Sequence, residues 1–253
     1  MRLAVCRLTY RTLLMGSLLA GWLAVGCRPA AEGPASVAPE VQSHVSRSWS
    51  EAVAMVRRGE SDLLECDAAE LPADAADELR QLTGLKRVRL AASRVGEREL
   101  EALAGLNGLI ELRLDRAPID DSGAAIVSRM SALQRVNLAA GQFSDAGLAS
   151  LAELPRLELL RFHSPRITDA GMKPLSGAKS LRFLHLIDVP ISDAGLVPLE
   201  GLPGLESLYV DGGGVTEDGL GRLIKALPQL HLHWNQQHVP GDPQSHEHAQ
   251  PVY

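Results

Sequence analysis

A leucine register that repeats every 24 residues constrains this chain more than any other feature of its sequence. Leu82, Leu106, Met130, Leu154, Ala178 and Leu202 open the same pattern at that spacing, and Leu85, Leu109, Leu133, Leu157, Leu181 and Leu205 follow in step. Paired apolar positions come next: Val88 and Leu90, Leu112 and Leu114, Val136 and Leu138, Leu160 and Phe162, Leu184 and Leu186, Leu208 and Val210. A fixed period of this size means stacked units, each burying its apolar face only against its neighbours. Such a solenoid offers an extended surface for binding and seldom an enclosed site for chemistry.

The core must be built from small and medium side chains, because aromatic residues are 4% of the chain while hydrophobic residues are 45%. That suits a thin layer repeated along an axis. The formal charge is −6. Bulk nucleic-acid binding needs a net positive face and is excluded as a class; an acidic, soluble surface is implied instead.

The N-terminal residues carry an address. Arg2, Arg7 and Arg11 precede a charge-free run over residues 12–26, rich in Leu, Ala and Gly. This is the layout of a secretory signal, and it is short for a spanning helix, which needs about 20 apolar residues. The run closes with Leu23-Ala24-Val25-Gly26-Cys27, which resembles the bacterial lipobox. The resemblance implies cleavage after Gly26 and a lipid-modified, palmitate-bearing Cys27 as the new N-terminus. Ala24 is a less typical choice than Leu at its position. Residues 28–48 are rich in Pro, Ala, Ser and Glu without an apolar period, as a flexible tether is. Several acyl chains anchor stably, each buried methylene contributing about 0.8 kcal/mol. Arg28 stands where an inner-membrane retention Asp would sit in enterobacteria-like systems, giving a slight preference for the outer membrane. With Cys6 removed and Cys27 lipidated, Cys66 is left alone, so no internal disulfide supports the fold.

One unit, residues 181–202, shows how the surface is made. Its first part, Leu181-x-x-Leu184-x-Leu186, ends with the two-residue alternation of a strand, and Leu196, Leu199 and Leu202 fall at helical spacing. Ser192 is placed to cap the helix and Asp193 to favour its dipole; the cap slot recurs as Asp120, Ser144, Thr168 and Thr216. Parallel strands stack about 4.8 Å apart and helices about 8–10 Å apart. One spiral containing both must curve, strands inside.

These residues resemble leucine-rich-repeat proteins, with Leu-x-x-Leu-x-Leu cores followed by Ile-Thr/Ser-Asp-Ala-Gly-Leu. The ribonuclease-inhibitor-like and cysteine-containing subtypes are the most similar. The phrase is clearest at residues 167–172 and 191–196, and the resemblance covers roughly residues 63–232. It implies an α/β solenoid: a right-handed horseshoe with a concave parallel β-sheet, convex helices and the role of a binding scaffold. One departure stands out. The family often has Asn, Cys or Thr at the turn after the strand, whereas this chain has Ser93, Ala117, Gly141, Pro165, Val189 and Gly213. No side-chain ladder can run there, so backbone bonds or water must serve and looser turns are expected. The organisation read from these features is a signal peptide over 1–26, a tether over 27–48, the repeat domain over 49–235 with a helical N-terminal cap, and a disordered His/Pro/Gln-rich tail over 236–253.

Two columns of strand side chains point into the concavity. One holds Arg87, Glu111, Arg135, Leu159, Phe183 and Ser207; the other holds Arg89, Arg113, Asn137, Arg161, His185 and Tyr209. Asp115, His163 and Asp211 lie at the strand exits. Arg with exposed aromatics is the composition of protein-interface hot spots, so Arg89, Arg113, Arg135, Leu159, Arg161, Phe183, His185 and Tyr209 are the candidate partner-binding residues. Stacked arginines also suit carboxylate or phosphate groups, and they equally serve solubility where Glu111 and Asp115 balance them.

Catalytic constellations are not evident. Ser176-Gly177-Ala178-Lys179 matches Ser-x-x-Lys without companion motifs, and Gly212-Gly213-Gly214 reads as a tight strand exit and not as a phosphate cradle. Five of the eight histidines lie between positions 231 and 248. His231 and His233 share one strand face as a workable ligand pair, but no third Cys or acidic ligand is evident, so neither a dedicated metal site nor a cofactor is assigned. The sequence reading is a non-catalytic bacterial cell-envelope lipoprotein. It recognises a protein partner through the concave face and meets the membrane through its N-terminal lipid, without nucleic acid. Two alternatives stand beside it: a small carboxylate, phosphate or polyanionic ligand on the Arg columns, and a passive structural role.

Overall fold

The computed structural model describes residues 47–67, 69–91 and 94–239. The signal peptide, Cys27, most of the tether and the tail beyond Val239 lie outside the described residues. Among the described residues no helix is long and apolar enough to cross a membrane.

The 24-residue register becomes a single sheet in chain order: β1 (Leu63–Cys66), β2 (Arg87–Leu90), β3 (Glu111–Leu114), β4 (Arg135–Leu138), β5 (Leu159–His163), β6 (Phe183–Ile187), β7 (Ser207–Asp211), β8 (His231–Trp234) and β9 (Gln237–His238). The first eight strands are parallel, and from β1 through β7 each residue pairs with the one 24 positions on, as Leu64 with Val88 and Leu184 with Leu208. The extra residue after Leu223 is absorbed between α7 and β8, and Leu208 still pairs with Leu232. Inward leucines and valines of successive strands therefore stack in columns that are almost wholly inaccessible. Cys66 pairs with Leu90 and is buried, filling its site as a small apolar side chain.

The opposite side carries α1 (Trp49–Arg57), α2 (Ala75–Arg80), α3 (Glu97–Ala104), α4 (Asp121–Ser128), α5 (Asp145–Ala152), a 3₁₀ helix (Ala170–Gly177), α6 (Asp193–Leu196) running into a 3₁₀ segment (Val197–Gly201), and α7 (Glu217–Ala226). The two 3₁₀ stretches hold Pro174 and Pro198. Proline lacks the amide that an α-helical turn needs and crowds the carbonyl four residues back, so helical spacing survives there only as the tighter coil. The N-terminal edge is closed by α1. Ser48 and Glu51 form a reciprocal cap at its start, Ala52 and Val53 are buried, and the Trp49 indole donates to Glu78 Oε2 at 2.6 Å.

Turn backbone groups after the strands are met by the backbone itself: Ile119 N donates to Ala117 O, Ile191 N to Val189 O and Gly214 N to Ile191 O, all within 2.9 Å. The looser turns expected there are offset one step further along the chain. Asp121 accepts from Ser144 N (2.6 Å), Ser144 Oγ (2.8 Å) and Gly147 N (3.0 Å). Asp145 accepts likewise from Thr168 N and Oγ1, Asp169 from Ser192 N and Oγ, and Asp193 from Thr216 N and Oγ1, at 2.6–2.8 Å. Four aspartates thus stitch successive repeats together from α4 to α7.

This ladder also accounts for glycine in the Asp-Ala-Gly-Leu phrase. A Cβ at Gly171 would stand 1.9 Å from Asp145 Oδ1, and one at Gly219 would stand 2.2 Å from Asp193 Oδ1. Hydrogen bonds from Thr216 hold the Asp193 carboxyl below the usual carboxylate range. For Asp121 burial works the other way and is outweighed by the bonds from Ser144 and Gly147. Of the expected caps, Asp120, Ser144, Ser192 and Thr216 each accept an amide of the first turn, whereas Thr168 precedes a 3₁₀ helix and gives its hydroxyl to Asp145.

Candidate functional site

The two columns exist as read from the sequence, extended at both ends; at the N-terminal end Leu63 precedes Arg87 and Glu65 precedes Arg89. The first continues from Ser207 to His231, the second from Tyr209 to His233. Their contents divide the face in two.

From β1 to β4 the arginines meet carboxylates. Arg87 reaches Asp62 at 2.6 Å. Arg89 and Arg135 converge on Glu111, at 2.6 and 3.0 Å, and Arg89 lies 3.9 Å from Glu65. Arg113 pairs with Asp115 at 2.8 Å. Glu111 is 7% exposed, so burial pushes its carboxyl up, but the two guanidinium groups win and hold it below its ordinary value. Burial opposes the charge on Arg89 too, and Glu111 overcomes it, raising the arginine further. The positive columns are therefore largely neutralised from within.

From β5 onward the face changes character. Leu159 and Phe183 are register neighbours. Phe183 is 37% exposed, and the only other large hydrophobic exposed among the described residues is Val197, on the helical side. The Arg182 guanidinium stands 5.4 Å from the Phe183 ring centre and is held by a two-pronged pair with Glu206 at 2.7 and 2.8 Å. In the second column Arg161 donates to Asn137 Oδ1 (3.2 Å) and His185 Nδ1 (3.3 Å), and His185 Nε2 lies 2.9 Å from Asp211 Oδ2. Burial lowers the His185 pKa; the bond to Asp211 opposes this only in part, and Arg161 adds to it. A neutral imidazole at neutral pH follows.

Aromatic rings continue the column: His185 to Tyr209 at 5.2 Å, tilted; Tyr209 to His233 at 4.2 Å, stacked; His233 to His238 at 4.3 Å. The sequence pattern predicts that the fold ends at residue 235, with residues 236–253 as tail. The structure carries the fold through β9, because Asn235 and Gln236 adopt positive φ (49° and 64°) and close a two-residue hairpin. That hairpin brings His238 opposite His233 as the third histidine that the sequence did not supply. The only signal in the sequence is Asn235, a residue that tolerates the left-handed region; Gln236 gives none, and the glycine that usually marks such a turn is absent.

The motifs set aside for chemistry are structural. Ser176 Oγ donates to Lys173 O and Lys179 Nζ to Gly201 O, so the two side chains serve separate turns. Gly212 and Gly213 have φ of 76° and 78°, and a Cβ on Gly213 would lie 2.5 Å from Val189 O. Close backbone approach, not phosphate, requires glycine there.

No family model matches the chain, and no curated protein does. Solved structures do. An internalin, inlF, from Listeria monocytogenes aligns with a TM-score of 0.52 at 20% identity, over 62% of this chain and 43% of that one. Internalin C2 from the same organism aligns with a TM-score of 0.52 at 18% identity, over 73% of this chain and 76% of that one. The fold is a leucine-rich-repeat horseshoe. At these identities the likeness is one of architecture, and the chain spans less than half the length of the first internalin. Within the horseshoe the binding residues must be argued from this chain's own face.

Proposed function

We propose that this leucine-rich-repeat chain is a lipid-anchored protein of the bacterial cell envelope that recognises a protein partner through its concave face, without catalysis. The lipobox-like Leu23-Ala24-Val25-Gly26-Cys27 supports the anchor, and the Leu-x-x-Leu-x-Leu units with Asp-Ala-Gly-Leu support the ribonuclease-inhibitor-like subtype. The observation that carries the binding reading is the contrast across the sheet. Glu111, Asp115 and Asp62 occupy the arginines of β2 to β4, while Leu159, Phe183 and Tyr209 remain accessible in the half beyond. A polyanion would have to displace those carboxylates first. An aromatic-centred contact needs no such exchange.

The test is capture of envelope proteins on the lipidated full chain, beside a variant carrying Arg113→Glu, Phe183→Ala and Tyr209→Ala, with folding checked by circular dichroism. A saturable partner held by the native chain and lost by the folded variant, with little change between low and high salt, is the expected result. Affinity that collapses with salt would instead establish the polyanion ligand, and no saturable partner would leave the passive structural role.

A further inference from the structure

We infer that the C-terminal end of the concave sheet is a three-histidine site for a divalent transition metal of the zinc class, made by His231, His233 and His238. One ligand nitrogen from each residue lies within 4.8 Å of the others, and the Nε2 atoms of His231 and His233 are 2.7 Å apart. Zinc at about 2.0–2.1 Å from each nitrogen in tetrahedral geometry sets its donors about 3.4 Å apart. That spacing is wider than the 2.7 Å contact and inside the 4.8 Å that encloses all three donors, so they stand within reach of one centre after modest side-chain adjustment.

The backbone makes the arrangement specific. Alternation along β8 puts His231 and His233 on one face, and the antiparallel return through β9 sets His238 directly across from His233. The hairpin between them is fastened to the preceding repeat at three points: Gly212 N donates to Asn235 Oδ1 at 2.9 Å, Asn235 N donates to Val210 O at 3.0 Å, and Gln236 N donates to Asp211 Oδ1 at 3.1 Å. His233 is also stacked on Tyr209, which fixes the plane of its ring. Ligands held this way lose little freedom when an ion arrives.

Packing alone does not ask for these residues. Leu230 and Leu232 already close the apolar layer, and on the outward face any soluble side chain would serve, yet here imidazoles at 6% and 3% exposure converge nitrogen to nitrogen. Neutral imidazole is the form that binds borderline metals, and an all-nitrogen set disfavours calcium and magnesium, which take oxygen ligands. As the rings stand, one Nε2–H bridges to the other Nε2. Binding through both Nε2 atoms would require the tautomer with that proton on Nδ1 of its own ring, which leaves the charge of the two imidazoles unchanged. Three ligands leave a fourth position for solvent or an incoming side chain.

The experiment is titration of the full-length chain in detergent with cobalt(II), followed by its visible spectrum and by competition with zinc. One equivalent should develop the intense bands of a tetrahedral ion and be displaced by zinc. His238→Gln alters a half-buried residue on the terminal hairpin, so it spares the core even where His231 or His233 variants fail to fold. It should weaken binding at least about 100-fold, while the double variant His246→Gln, His248→Gln stays within about threefold of the native chain. Binding untouched by His238→Gln, or no saturable binding, overturns the site.

Discussion

The two halves of the concave sheet are built on one backbone and filled by opposite means. Between β1 and β4 the outward charges meet counter-charges on the face or at its rim, and Glu111 serves two arginines. Between β5 and β8 the outward residues are a leucine, a phenylalanine, a serine, a tyrosine, histidines whose partners are mostly rings, and one arginine, Arg161, which bonds to Asn137 and His185. A parallel sheet whose face meets water can be solubilised by ion pairs that satisfy one another; apolar and aromatic groups in the same position gain only when something covers them. Within one molecule, the first half shows what a self-sufficient surface looks like, and the second departs from it.

Three changes test that contrast within the chain itself. Glu111→Gln should have the largest effect, lowering stability by about 1–3 kcal/mol in urea unfolding, because a buried carboxylate that serves two guanidinium groups is lost. A loss under about 0.3 kcal/mol would mean that the N-terminal half is not held by its ion pairs.

Acid should then separate the halves by pH. His185 has its folded pKa below the unfolded value, so its contribution is complete above the ordinary imidazole range, near pH 6.5, and declines as pH falls below it. The Glu111 carboxyl is also depressed on folding, so its contribution is lost only on falling below the ordinary carboxylate range, near pH 4.3. Urea midpoints measured from pH 8 to 3 should show two declines, and His185→Gln should remove the first while leaving the second. A single decline confined to the carboxylate range would refute the assignment of His185.

The smallest effect is expected at the rim. Asp62→Asn breaks a pair whose partners are both more than a third exposed and should cost no more than about 0.5–1 kcal/mol. A larger loss would make Asp62 part of the interior network and not of its margin.

How far these features could be read from residues alone depends on the distance over which they act. Strands, inward columns and curvature follow from a period that every repeat restates, so Leu184 and Leu208 declare their pairing without any structure. Glu111 could be seen balancing arginine, because its neighbours in the column lie one period away. The aspartate ladder was hidden: Asp193 beside a capping Ser192 reads as a dipole residue of its own helix, and nothing local says that its oxygens serve Thr216. Pro174 and Pro198 foretell a broken α-helix, but not the 3₁₀ coil that replaces it. His238 escaped because its place depends on a hairpin closed by Asn235 and Gln236, a turn whose left-handed backbone carries no glycine to announce it.

The ladder has a consequence for how such a chain can change length. Each central unit carries a socket at its Ser or Thr, a plug at the following Asp, and a clearance at the Gly where the previous plug rests. A unit copied whole, 24 residues at a time, meets both neighbours with matching parts. An insertion of one or two residues between plug and clearance strands an aspartate against a Cβ. Growth by whole modules is thus mechanically permitted and growth by increments is not, while the concave columns, which share none of these parts, are free to be rewritten at every step.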